Sequence, residues 1–275
     1  MAHIASQIKN TLLNVIFPPK CLICRKLYPP PNPRQKDSCF DDSSVLNFPM
    51  HLAHIFCPDC ALQFTPVESP FCTTCGLMFK SREGEDHRCE VCLRRPRHFH
   101  KARAFGIYDQ SLREAIHLLK FNSKLQLARP LEILLWHTLL RYWSPEEIDL
   151  IIPAPLHMRR FRKRGFNQAY LLMRHWPRMA AAENLSLPSE KIARTALIRH
   201  RRTPHQVKMD REERQANIRN AFTVPDPKRI QDKFILLVDD VYTTGATADE
   251  CARTLINVGA ARVDVLTLAQ TTRRL

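Results

Sequence analysis

The chain has 275 residues, 44% of them hydrophobic, and a net charge of +15 from 42 basic and 27 acidic side chains. At about 150 residues per domain this is room for two units with a sizeable core. The positive surplus favours an anionic partner without choosing among a nucleic acid, a phosphorylated metabolite and an acidic lipid surface.

The first stretch, MAHIASQIKNTLLNVIF, has a mild apolar spacing but not the long apolar core and small-residue cleavage site of a signal peptide. No apolar run reaches the ~18–20 residues of a membrane span. A cytoplasmic protein is expected. In a reducing compartment, ten cysteines point to metal or redox chemistry ahead of disulfides.

Four CxxC pairs follow: Cys21 with Cys24, Cys57 with Cys60, Cys72 with Cys75, and Cys89 with Cys92. Two residues between thiolates let both sulfurs turn toward one tetrahedral ion, and two such turns complete a closed site. A redox CxxC belongs at a strand-to-helix junction, and these pairs lie among prolines and polar turns. One or two structural zinc ions are expected, with two preferred. The sequential assignment is Cys21, Cys24, Cys57 and Cys60 for one site, and Cys72, Cys75, Cys89 and Cys92 for the other. Spacing alone leaves crossed pairing open, since 32 residues separate Cys24 from Cys57 and 13 separate Cys75 from Cys89. His87 is expected in a solvated loop, and Cys39 as a free thiol in an insertion over residues 25–56. A module this small needs the metal for its folding energy.

Composition changes near residue 100, which divides the chain into a cysteine module over residues 1–97 and an α/β domain over residues 98–275. Beyond that point AFGIYD (Ala104–Asp109) predicts a strand, SLREAIHLLKF and LARPLEILLWHTLLRYW amphipathic helices, and IDLIIPAPL (Ile148–Leu156) a buried strand stopped by prolines. A helix is expected from Phe166 to about Glu183, a strand over KIARTALIR, and a basic mobile loop with some helix over residues 200–221. Lys233–Val241 and Arg262–Leu268 predict strands around a helix at Thr247–Val258. This alternation is that of a parallel sheet with helices on both faces.

The strand ILLV runs into Asp239 and Asp240, then Thr243, Thr244, Gly245, Ala246 and Thr247 turn the chain into a helix. Backbone N–H groups at a helix start bind phosphate, the threonines add donors, and glycine permits a tight turn. The acids repel phosphate but suit hydroxyls, or a divalent cation through water. A sugar phosphate satisfies both halves. Neither a Walker loop nor a GxGxxG fingerprint is present. A second basic stretch, MRRFRKRGFNQ, places cations around two aromatics just after a strand. Arg164 and Asn167 flank its glycine-aromatic step and are candidate phosphate contacts. Lys120 is another, or a cation favoured at a helix C-terminus. Gln206 and Asn217 are weaker candidates, and His157 is expected in a surface turn.

VDDVYTTGAT between strand and helix resembles the phosphoribosyl pyrophosphate (PRPP) motif of type I phosphoribosyltransferases. With the CxxC-rich start, IHLLKF, PAPLHMRRFRKRGFNQA and RTPHQVKMDREERQANIRNAF in that order, the chain resembles the ComF family, including its GntX-like bacterial members linked to competence and DNA uptake. The resemblance runs from Cys21 to the last strand. It implies a type I phosphoribosyltransferase-like sheet behind a zinc-ribbon-like module. Asp239 and Asp240 would hold the ribose hydroxyls of PRPP and Thr243–Thr247 its 5′-phosphate. Pro153–Arg159 would form the pyrophosphate loop, Arg202–Arg219 a flexible closing loop, and Mg²⁺ would arrive with the pyrophosphate. Only seven residues follow Leu268, so the C-terminal hood of purine-type relatives is not expected. No residue declares itself as a general acid or base, so turnover is left open. A rival reading is an accessory protein for single-stranded DNA, working with DNA-uptake proteins. It rests on the basic strips Arg159–Arg164 and Arg194–Arg219, with Phe161 and Phe166 as stacking surfaces or core residues.

Overall fold

The computed structural model describes residues 19–28, 55–121, 124–201 and 218–272. Cys39, Gln206, Asn217 and most of the expected closing loop therefore lie outside the described residues. The N-terminal part carries two short helices, α1 (Pro58–Ala61) and α2 (Glu90–Arg94), each starting beside a cysteine. The α/β part follows as β1 (Ala102–Ile107), α3 (Gln110–Phe121), α4 (Ala128–Tyr142) and β2 (Leu150–Pro153). Then come α5 (Met158–Arg164), α6 (Gln168–Leu171), α7 (Trp176–Ala182), the strands β3 (Ile198–Arg199) and β4 (Phe222–Thr223), β5 (Phe234–Tyr242), α8 (Ala246–Ile256) and β6 (Arg262–Gln270).

Among the described residues, β1, β6, β5 and β2 form a parallel sheet in that order, as the alternating pattern predicts. Side chains alternate across β5 with the period of two that a strand imposes. Leu236 and Val238 join the cluster that packs α3, α4, α6 and α7 on one face. Ile235 and Leu237 join the cluster that holds α8 and Phe222 of β4 on the other. Cys72, Cys75, Cys89 and Cys92 belong to that second cluster, so this cysteine group is packed into the core of the sheet. Gln270 Nε2 donates to Gly76 O at 2.7 Å and Arg103 Nη1 to Thr73 O at 3.0 Å, tying the same turn to β6 and β1. The segment between the two cysteine groups lies along β1, where Val67 N donates to Phe105 O at 3.0 Å and Ile107 N to Thr65 O at 2.7 Å.

Two expected elements are corrected. The helix expected from Phe166 to Glu183 is two short helices, because Pro177 cannot donate in a continuous ladder and instead starts α7. The carboxylate of Glu132 holds the break. Glu132 is fully buried in α4 and accepts from His175 N at 2.6 Å and His175 Nδ1 at 2.7 Å. Glu132→Ala leaves the His175 donors without this acceptor. A loss of about 1–3 kcal/mol is expected, read as a lower urea midpoint at unchanged slope. The strand expected over KIARTALIR shrinks to Ile198–Arg199. Ile192 meets the edge of β2 at one bridge, and Ala193, Ala196 and Leu197 then turn inward to the core. Among the described residues no helix is long and apolar enough to cross a membrane.

Candidate anion site and metal centres

The cysteines gather as two groups of four in chain order: Cys21, Cys24, Cys57 and Cys60, then Cys72, Cys75, Cys89 and Cys92. Within each group one sulfur per residue lies within 4.8 Å of the others. A tetrahedral zinc with Zn–S of about 2.3 Å sets its sulfurs ~3.8 Å apart. Cys24 Sγ and Cys57 Sγ are 3.6 Å apart, and Cys75 Sγ and Cys89 Sγ 3.8 Å. Cys72 Sγ also accepts the N–H of Cys75 at 3.4 Å and of Cys89 at 3.3 Å. Contacts from the Cys75 and Cys92 thiols, with these N–H bonds, hold the Cys72 thiol well below its usual range, while Cys75 and Cys92 are pushed up in exchange. Both groups can thus hold a structural zinc. His87 stays out of the second, stacked on Phe79 at 4.2 Å and exposed.

At the carboxyl end of β5, strand geometry sends the two acids to opposite faces. Asp240 turns to the α3 side, where its Oδ2 meets Lys120 Nζ at 2.6 Å as an ion pair without hydrogen-bond alignment. Arg164 lies within electrostatic reach of it. Asp239 turns to the α8 side, where Arg199 and the buried Cys251 feel its charge. Its Oδ1 accepts from Asp240 N at 2.8 Å. Burial and the neighbouring Asp240 push the Asp239 carboxyl up to about 7, against the pull of Lys120. Between pH 4 and 7 the native form therefore keeps a proton that the unfolded chain has lost, so stability falls as pH rises through this window. Asp239→Asn is expected to flatten that part of the stability profile, measured as melting temperature against pH.

The turn after β5 reaches α8 through Gly245 in the left-handed region at φ +76°. A Cβ there would stand 2.2 Å from the Tyr242 hydroxyl, so only glycine fits. Thr244 Oγ1 accepts from Ala246 N at 3.3 Å. Thr243 is exposed and Thr244 and Thr247 are half-buried, while the first amide of α8 is taken by the Thr244 hydroxyl.

Asn167 is used inside the protein. Its Nδ2 donates to Ala154 O at 3.1 Å and its Oδ1 accepts from Ala169 N at 2.9 Å, so it caps α6 and pins the Pro153–Arg159 loop. Arg164 bonds Gln168 and lies over the Phe121 ring at 5.5 Å. His157 caps α5, accepting from Arg159 N. Sequence reasoning placed Arg199 only within the basic strip Arg194–Arg219 and Tyr242 only within VDDVYTTGAT, and it missed Arg97. Arg97 carries no local signal, because its partners Thr244 and Asp249 lie far along the chain.

The chain is 33% identical over 231 residues to the DNA utilization protein YhgH of Shigella flexneri, spanning 82% of this chain and 96% of that protein. The chain belongs to the ComF family. Among other relatives of this ComF-family protein, Competence protein F of Haemophilus influenzae is 28% identical over 228 residues, 80% of this chain and 93% of that protein. Competence protein ComFC of Bacillus subtilis is 26% identical over 216 residues, 77% and 82% respectively. No family model matches the chain.

Proposed function

We propose that this ComF-family protein binds PRPP with Mg²⁺ at the carboxyl end of β5 and serves competence or the use of imported DNA. The observation that carries the reading is the pairing of two buried-edge acids with a glycine-capped turn, ringed by Lys120, Arg164 and Arg199. Asp239 and Asp240 suit ribose hydroxyls, and the amides of Thr244–Thr247 suit the 5′-phosphate. Burial lowers the pKa of Arg164 and Arg199, and a buried cation gains from a bound anion. Lys120 would pass from Asp240 to the pyrophosphate. The donor set suits hydroxyls and water-mediated contact, not an all-protein metal cage, so Mg²⁺ belongs with the ligand's own phosphate oxygens. The names of the relatives, which speak of DNA utilization and competence, support the cellular role.

Calorimetric titration of PRPP with Mg²⁺ tests the reading, with ribose 5-phosphate and pyrophosphate titrated separately. Tightest binding of intact PRPP is expected. No heat from any of the three would turn attention to a second reading, the handling of single-stranded DNA. One observation favours that alternative: α5 has no buried residue, and Phe161, 40% exposed, stands among Arg159, Arg162 and Lys163. DNA affinity on this account falls steeply between low and moderate salt.

A further inference from the structure

Three consecutive residues after the second cysteine group reach the turn at α8. Arg97 is 8% exposed at its side chain and lies against the Cys92 sulfur. Its Nη2 donates to Thr244 O at 3.5 Å, and its Nη1 faces Asp249 Oδ2 at 3.9 Å. Next, His98 N donates to Asp249 Oδ1 at 2.8 Å. Then the Phe99 ring stands edge-on to Tyr242 at 6.2 Å. Tyr242 in turn fills the space under Gly245, and its hydroxyl feels the charges of Arg97, Cys75 and Cys92. The turn is therefore held from behind by a carbonyl contact, a carboxylate in the first turn of α8 and a ring, all anchored next to one metal group.

The first cysteine group has no comparable tie among the described residues. Its buried members cluster with Tyr28 and Ile23. This asymmetry gives the two groups different tasks. We propose that Arg97 is a positioning residue that carries the geometry of the Cys72, Cys75, Cys89 and Cys92 site into the Thr243–Thr247 turn, fixing the turn in its anion-binding shape. The proposal deepens the PRPP reading and rests on it for the ligand, though the mechanical link stands apart from any ligand.

Physically, the guanidinium does two things at once. It neutralises Asp249 beside the place where the phosphate would bind, and it withdraws the Thr244 carbonyl to the rear of the turn. The carbonyl then points away from the anion and the amides point toward it.

The test uses the full-length, zinc-loaded chain with metal content measured on every sample. Amide hydrogen exchange is compared between wild type, Arg97→Gln, Arg97→Lys and Asp249→Asn. Exchange over Thr243–Asp249 is expected to rise about 10-fold in Arg97→Gln, with β6 unchanged, the scale of one ordinary intramolecular hydrogen bond. Arg97→Lys should recover part of the protection. Asp249→Asn keeps an acceptor for His98 N–H but removes the charge facing Arg97, and it should loosen the same segment even if Arg97→Gln fails to fold. PRPP affinity should fall by about the same factor as exchange rises. Unchanged exchange over the turn in metal-loaded variants overturns the coupling. A turn that loosens in a protein whose wild type binds neither PRPP nor inorganic phosphate leaves the coupling standing and removes the PRPP reading.

Discussion

Chelating the metal from the second cysteine group is expected to unfold the α/β core, not only the N-terminal module. Cys72, Cys75, Cys89 and Cys92 are all buried, in the cluster shared by Leu237 of β5, Val265 of β6 and Cys251 of α8. Without a cation, thiolates gathered within 4.8 Å cannot all stay ionised, and neutral thiols leave the Cys75 and Cys89 N–H groups a poorer acceptor. Structural zinc contributes about 10–16 kcal/mol in small finger peptides, as much as the whole stability of a typical domain. Circular dichroism at 222 nm, followed against chelator alongside zinc release, should show the helical signal lost together with the metal of this site. In contrast, Cys24→Ser in the first group touches an exposed cysteine of a small separate cluster and should leave most of the signal intact. A full helical signal after both metals are gone would refute the account.

Replacing the two acids should separate their roles. Asp240→Asn is expected to weaken PRPP about 100-fold, the scale of charged hydrogen bonds to ribose hydroxyls. It also releases Lys120 from its ion pair, so binding of pyrophosphate alone should hold or tighten. Asp239→Asn should behave differently with pH. Its carboxyl titrates at about 7, so at pH 6 the wild type already carries mostly the neutral form. The affinity gap between wild type and Asp239→Asn should be small at pH 6 and large at pH 8. Calorimetry at both pH values for both variants decides. Identical, pH-independent losses would mean that the two carboxylates share one environment, contrary to the geometry.

The strand-turn-helix from Ile235 to Ile256 was legible because every local signal agreed: an apolar run, a glycine where φ is positive, and a helical pattern after it. The sequential pairing of the cysteine groups was the reading of the sequence and is the one found, although spacing alone left crossed pairing open. The chain path that places Leu22 N on Ile55 O at 3.0 Å and brings Cys57 beside Cys24 excludes the crossed alternative. Asn167 stood out in the sequence for flanking a glycine-aromatic step, yet both ends of its amide are engaged by backbone. The split between Asp239 and Asp240 was within reach, since neighbours on a strand face opposite ways. Arg97 was not, because nothing near Pro96 records a carbonyl at Thr244. The break in the helix expected over Phe166–Glu183 was half legible: Pro177 is a local signal, whereas Glu132, which holds the break, lies far upstream.

The strip of chain that joins the two cysteine groups has one more consequence. Thr65 and Val67 occupy peptide groups of Phe105 and Ile107 on the side of β1 away from β6. They thereby mask an outer strand whose amides would otherwise pair with another molecule. Because that strip is anchored at both ends by cysteines, loss of metal is expected to lower solubility as well as stability. A chain made in zinc-poor cells would expose an unpaired β edge and meet its neighbours as aggregates before it met any ligand.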